Sequence, residues 1–199
     1  MKNRSKALLL ALCALMLVVT TVFTTLAYLT DTESVTNTFT IGNVAITLDE
    51  TKVDANGDPA TPATRVSDDQ SYKLVPNKTY TKDPVVTVLA NSEAAYVFVK
   101  VENNIAAIEA DSNPIATQIT TTNGWTELES GVYYKTVNTS AVDQPLTVFS
   151  SVTIDGDVDE TSFNELTKKT IVVTAYAIQQ QGLTAEQAWD ALEAEYPAA

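Results

Sequence analysis

The feature that most restricts the fold is a pair of apolar runs, DPVVTVLA at 83–90 and AYVFVKV at 95–101, linked by Asn91-Ser92-Glu93 with Ala94 directly before the second run. Both are rich in β-branched and aromatic residues and too short for stable helices, so they are predicted strands. In the second run Val97, Val99 and Val101 share one face, with Tyr96, Phe98 and Lys100 on the other. That alternation predicts a sheet with one buried and one partly wetted face. The short link predicts antiparallel neighbours.

Shorter runs of the same kind flank this pair. VTNTF at 35–39 and VAITL at 44–48 surround Ile41-Gly42-Asn43, and in the second run Val44, Ile46 and Leu48 alternate with Ala45 and Thr47. Weaker strands are predicted at 115–120 and 125–128, and better ones at 131–137, 146–154 and 170–179 (TIVVTAYAIQ). Asp155-Gly156-Asp157 is a turn signal, and 163–166 reads as one helical turn. Residues 49–70 are polar, with Gly57, Pro59 and Pro62, and read as a long flexible loop. Near the end the period changes. Thr184 with Gln187 three residues on forms a capping-box pattern, and Trp189, Leu192 and Tyr196 follow at helical spacing until Pro197. The expected class is all-β: a jelly-roll-like β-sandwich over 28–199, with a short C-terminal helix on the sheet and a cleavable N-terminal signal helix.

The signal helix is read from the first 27 residues. Lys2, Arg4 and Lys6 precede a run at 7–23 that is apolar apart from Thr20 and Thr21. Thr25 and Ala27 are the small residues that a signal peptidase requires at −3 and −1, which makes Tyr28 the first residue of the mature chain. The run is of borderline length for an uncleaved membrane anchor, the competing reading. Lipid modification at Cys13 is disfavoured, because Leu12 stands where a small residue is needed. Cleavage removes three of the twelve basic residues, none of the acids and the single cysteine. The 172-residue remainder has nine basic against twenty-five acidic residues, a formal charge of −16. Such a chain repels nucleic acid and anionic membrane surfaces, and it must fold without disulfides.

No catalytic constellation is visible. The chain contains no histidine, which removes His-based triads and the H-E-x-x-H zinc helix, and it has no glycine-rich phosphate loop. The loop beginning Asp54-Ala55-Asn56-Gly57-Asp58 fails as an EF-hand, with Pro59 where glycine is needed and Arg65 in place of the bidentate glutamate. Asp155, Asp157, Asp159 and Glu160 form a weak calcium candidate beside the simpler reading of a solvated turn. No other metal site, cofactor site or catalytic residue is assigned, and no enzymatic activity is expected.

Three places carry a family resemblance. They are the junction LAYLTD at 26–31 with NTF at 37–39 and GNVAITL at 42–48; LVPNKTYTKDP at 74–84 with NSEAAYVFVKV at 91–101; and VVTAYAIQ at 172–179 with GLTAEQAW at 182–189. In these the chain resembles the TasA/camelysin family of Gram-positive bacteria, exported through a SipW-type signal peptidase. The middle, about 103–165, carries no resemblance. The likeness implies a jelly-roll subunit of an extracellular fibre, in the biofilm matrix or on the cell surface, with itself and an anchoring accessory matrix protein as partners. Camelysin members have been described as metalloproteases, for which this chain lacks the histidines. The alternative is a secreted binding module for a glycan or host protein, with Trp125, Tyr133 and Tyr134 as stacking residues, although core packing explains these aromatics more simply. For the fibre reading, residues 28–40 are the expected donor strand, anchored by Val35 and Phe39, against the competing reading that they form the first strand of their own sheet. Mass spectrometry of secreted protein should find Tyr28 at the N-terminus, and Ala27→Asp should leave the precursor in the membrane. Secreted chains that begin at Met1 or carry lipid on Cys13 would refute the processing scheme.

Overall fold

The computed structural model describes residues 43–166, 169–180 and 182–196. Its middle strand is β5 (Ala95–Asn103), flanked antiparallel by β10 (Ile171–Gln179) and β7 (Val132–Val137), with β6 (Thr126–Glu129) beyond β7. Ala95 pairs with both Gln179 and Val137, so β5 is hydrogen-bonded on both sides over most of its length. A second four-stranded sheet runs in the order β2 (Arg65–Val66), β1 (Ile46–Thr51), β4 (Val85–Val88) and β8 (Gln144–Thr147). A short ribbon pairs β3 (Thr79–Thr81) with β9 (Ser151–Thr153). The described part is thus β-rich, as the alternating runs predict.

Val86 and Val88 of β4 and Val97, Val99 and Val101 of β5 belong to one buried cluster, which also takes in Tyr80, Ile105, Phe149, Val152 and Ile154. The two sheets therefore share a core. The helices are α1 (Ile115–Thr117), which runs on as a π-helical turn over Gln118–Thr122, α2 (Glu160–Glu165) and α3 (Ala185–Glu195). Among the described residues no helix is long and apolar enough to cross a membrane.

Several expectations are corrected. The two apolar runs do not pair with each other, because β4 and β5 lie in different sheets. Their link crosses between layers: Asn91 takes a left-handed φ of 63°, and buried Ser92 and the Glu93 amide bond to Ala45 and Asn43. Both strands then direct valines into the common interior. Residues 115–120 are helical, not extended. Pro114 precedes the first turn, and Ile115, Gln118 and Ile119 are buried at i, i+3 and i+4, a helical period. The predicted strand at 146–154 is two strands, β8 and β9, broken where Val148 and Phe149 both turn into the core. Residues 49–70, read as a loop, contain the end of β1, all of β2 and a bridge between Val53 and Pro59. Their polar composition hid this, because side-chain hydrogen bonds and not apolar contacts hold them.

The other face of β5 is partly wetted, as predicted, with Tyr96 and Lys100 half-buried and Glu102 exposed, but its centre is covered. Phe98 is fully buried beneath Trp189 of α3, with ring centroids 5.3 Å apart, and Tyr134 and Tyr176 extend the aromatic layer. The predicted capping box is present: Thr184 accepts from the Gln187 amide, and the Gln187 side chain accepts from the Thr184 amide. Trp189 also donates to Glu129 at 2.9 Å, tying α3 to β6. Tyr196 is exposed, although its ring lies 6.2 Å from that of Tyr176. Trp189→Ala should cost about 3–5 kcal/mol in urea unfolding, and Thr184→Ala about 1 kcal/mol. Equal, small losses would mean that α3 does not stabilise the sheet.

Candidate functional site

Two strands of this fold, β10 and β1, have backbone edges left open among the described residues. β10 pairs with β5 along all nine residues, and among the described residues nothing pairs with its other edge. β1 pairs with β4 over Ile46–Asp49, while β2 reaches only Glu50 and Thr51. The outer edge of β1 from Ile46 to Asp49 is therefore also open among these residues, and β1 and β10 approach each other across the gap. The inward-facing residues Val44, Ile46 and Leu48 on one side, and Ile171, Val173, Ala175 and Ala177 on the other, pack on the core yet are only partly buried. A sheet edge whose core-facing residues stay half-covered is an unfinished edge, and it exposes amide and carbonyl groups ready to pair.

A cavity of about 540 Å³ opens between these strands. Tyr80, Pro84, Ile105 and Val152 give it an apolar floor, whereas Asp49, Asp68, Asp69 and Lys169 stand among its polar lining. Residues 66–72 close one end. This strap is fastened by two side chains. Arg65 lies between Asp49 and Asp83, and its guanidinium also donates to the backbone oxygens of both. Gln70 donates to Glu50 and to the Thr51 carbonyl, each at 2.9 Å, and accepts from the Val53 amide at 2.7 Å. Glu50 also pairs with Lys82 at 2.8 Å, and both side chains are largely buried. Burial, together with the charges of Glu50 and Asp83, pushes the nearby Tyr72 phenol far above its ordinary range, so it remains neutral.

Glu50, Gln70 and Lys82 were not singled out by sequence reasoning, and Arg65 was named there only as the residue that breaks the EF-hand pattern. One signal was present. The inward alternation Ile46, Leu48 continues to Glu50, and a carboxylate on an inward face requires a partner.

The calcium candidates are not gathered into a site. Asp155 accepts from the Asp157 amide in a turn. Asp159 caps α2, accepting from the Ser162 amide and hydroxyl, and these bonds hold its carboxyl below the usual range. Among the described residues no group of three or more His, Cys, Asp or Glu side chains is placed to hold an ion. Asp54 likewise accepts from the Asn56 and Asp58 amides. That turn carries Gly57 at φ 78° against Tyr80, where a Cβ would come within 2.7 Å of the ring. Of the proposed stacking aromatics, Trp125 is buried and donates to the Thr147 carbonyl, Tyr133 is buried, and Tyr134 is half-buried against Phe98. The processing residues Thr25, Ala27 and Tyr28 and the anchors Val35 and Phe39 lie outside the described residues.

Comparison with family models, curated proteins and solved structures finds no match to this chain. In urea unfolding, Glu50→Ala should cost on the order of 3 kcal/mol, because it strands Lys82 in a largely buried position. Arg65→Ala, at a more exposed pair, should cost under about 1 kcal/mol. The reverse order would remove Glu50 as the internal tie of this region.

Proposed function

We propose that this chain is an exported, self-associating structural protein, a jelly-roll subunit of an extracellular fibre in a biofilm matrix or on a cell surface. The observation that carries the reading is the opening between β1 and β10, where two unfinished edges flank an apolar-floored cavity. A strand added along β10 would satisfy that open row of backbone groups and send alternate side chains toward the core. Residues 28–40 of a second copy supply such a strand, with Val35 and Phe39 as its apolar anchors. The leader ties this segment to the membrane until a SipW-type peptidase cuts after Ala27, so processing licenses assembly. A contact of this head-to-tail kind does not close on itself and gives filaments.

The resemblance of the junction and of the strands at 91–101 and 172–179 to the TasA/camelysin family supports the same reading. The glycan-binding alternative relied on Trp125, Tyr133 and Tyr134, which are occupied in packing. We assign no catalytic role. The partners are other copies of the chain and, at the cell surface, an anchoring accessory protein.

Purified 28–199 should form filaments in negative-stain images. Deleting 28–40 should leave the circular dichroism signal in place and abolish the filaments. Monodisperse particles from 28–199, or normal polymerisation of the deletion, would refute the reading. Because each mature subunit carries −16, assembly followed by light scattering should quicken with salt and as pH falls toward about 4, where carboxylates titrate. A rate insensitive to both would show that charge does not restrain association.

A further inference from the structure

The cavity lies at one end of the β1–β10 opening rather than along it. Asn43 and Ala45 bond to Glu93 and Ser92, just before Ala95, and Ala95 pairs with Gln179. The start of β1 therefore lies toward the Gln179 end of β10. The cavity is bordered instead by Leu48, Asp49 and Glu50 at the far end of β1 and by residues 169–173 at the beginning of β10, and the strap closes it there. Its apolar floor stands open beside the unpaired edge of β10, and the strap is held in place by the side-chain bonds of Arg65 and Gln70.

We infer that this hollow receives the leading part of a strand donated by a second copy, with Val35 on its apolar floor, and that the strap at 65–72 is the stop that fixes the register of that strand. The inference rests on the strand-addition reading above. Residues 28–42 number fifteen and reach about 50 Å when extended, against about 30 Å for the nine residues of β10. The donor joins its own body at Asn43, and its free end after processing is Tyr28. Entering through the open end, it advances N-terminus first, parallel to β10 and antiparallel to β1. Val35 then precedes Phe39, which shares its face by the two-residue period and lies about 13 Å behind it. With Val35 over the hollow near Val173, Phe39 falls beside Ala175 and Ala177, the smallest inward residues of β10. The strap blocks further advance between the sheets. It turns the polar residues 30–34 outward, where Lys169 meets Asp31 and Glu33.

The mature chain has no cysteine, so introduced thiols report cleanly. Subunits carrying Val35→Cys are mixed under oxidising conditions with separately prepared subunits carrying either Val173→Cys or Ala177→Cys. Disulfide formation demands close Cβ approach, so cross-linking to position 173 should exceed that to 177 by about tenfold. With Arg65→Ala and Gln70→Ala in the acceptor, the preference should collapse to within about twofold. If the double variant loses its near-ultraviolet dichroism, Arg65→Ala alone should narrow the preference. Filaments that cross-link equally at both positions, or better at 177, overturn the register. A preference unaffected by loosening the strap overturns its role as a stop. Absence of both filaments and cross-links overturns the strand-addition reading, and this inference with it.

Discussion

The fold depends on β5, which lines the common interior with its valines and sends Phe98 beneath α3. The described residues contain no cysteine, so no disulfide holds the two sheets together. The common interior is reached through Val97, Val99 and Val101, and the aromatic layer under α3 through Phe98. Each fully buried valine or phenylalanine contributes roughly 1.5–3 kcal/mol, and β5 provides three valines on one side and Phe98 on the other. Its hydrogen bonds to β7 and β10 satisfy the backbone that this burial removes from water. The helix α3 is thus the cover that lets Phe98 be buried on the second face of the central strand.

The same arrangement creates the open groove. β10 is anchored through β5 along its full length, so it is rigid and extended, yet it ends the sheet. Soluble proteins commonly blunt such edges with charge, proline or bulges. Here the strand IVVTAYAIQ contains no charged residue and no proline, and β1 opposite it is similarly undefended up to Asp49. Charge is concentrated instead at the strap, where Arg65, Asp49, Asp83, Glu50 and Lys82 neutralise one another. Among the described residues one end of the opening is guarded and no strand pairs along the rest of the β10 edge, which favours a partner that arrives as a strand.

Much of this was legible in the sequence. Strands with clean alternation and a buried face, such as 95–101 and 170–179, were read correctly, as was α3 from its capping box. Local pattern failed where tertiary context decided. The link Asn91-Ser92-Glu93 is short enough for a hairpin, and only the hydrogen bonding of Ser92 to Ala45, distant in sequence, sends it across the core. Ile115 and Ile119 fit either period until Gln118 is seen to bond the Ser150 amide and the Ser151 carbonyl from inside. The strap was invisible because its anchors are polar, and composition alone does not separate a polar loop from a polar lock. The unfinished edges could not be read at all, since which strand ends a sheet is a property of topology.

The central claim is that the β10 edge is completed by another copy, and amide hydrogen exchange along β10 tests it most directly. Alternate amides of 171–179 point away from β5. They should exchange readily in isolated subunits kept apart by low salt and neutral pH, then become strongly protected in filaments, while the amides of β5 hardly change. Filaments in which the β10 amides exchange as fast as in free subunits would show that assembly uses a different surface, and the account would be wrong.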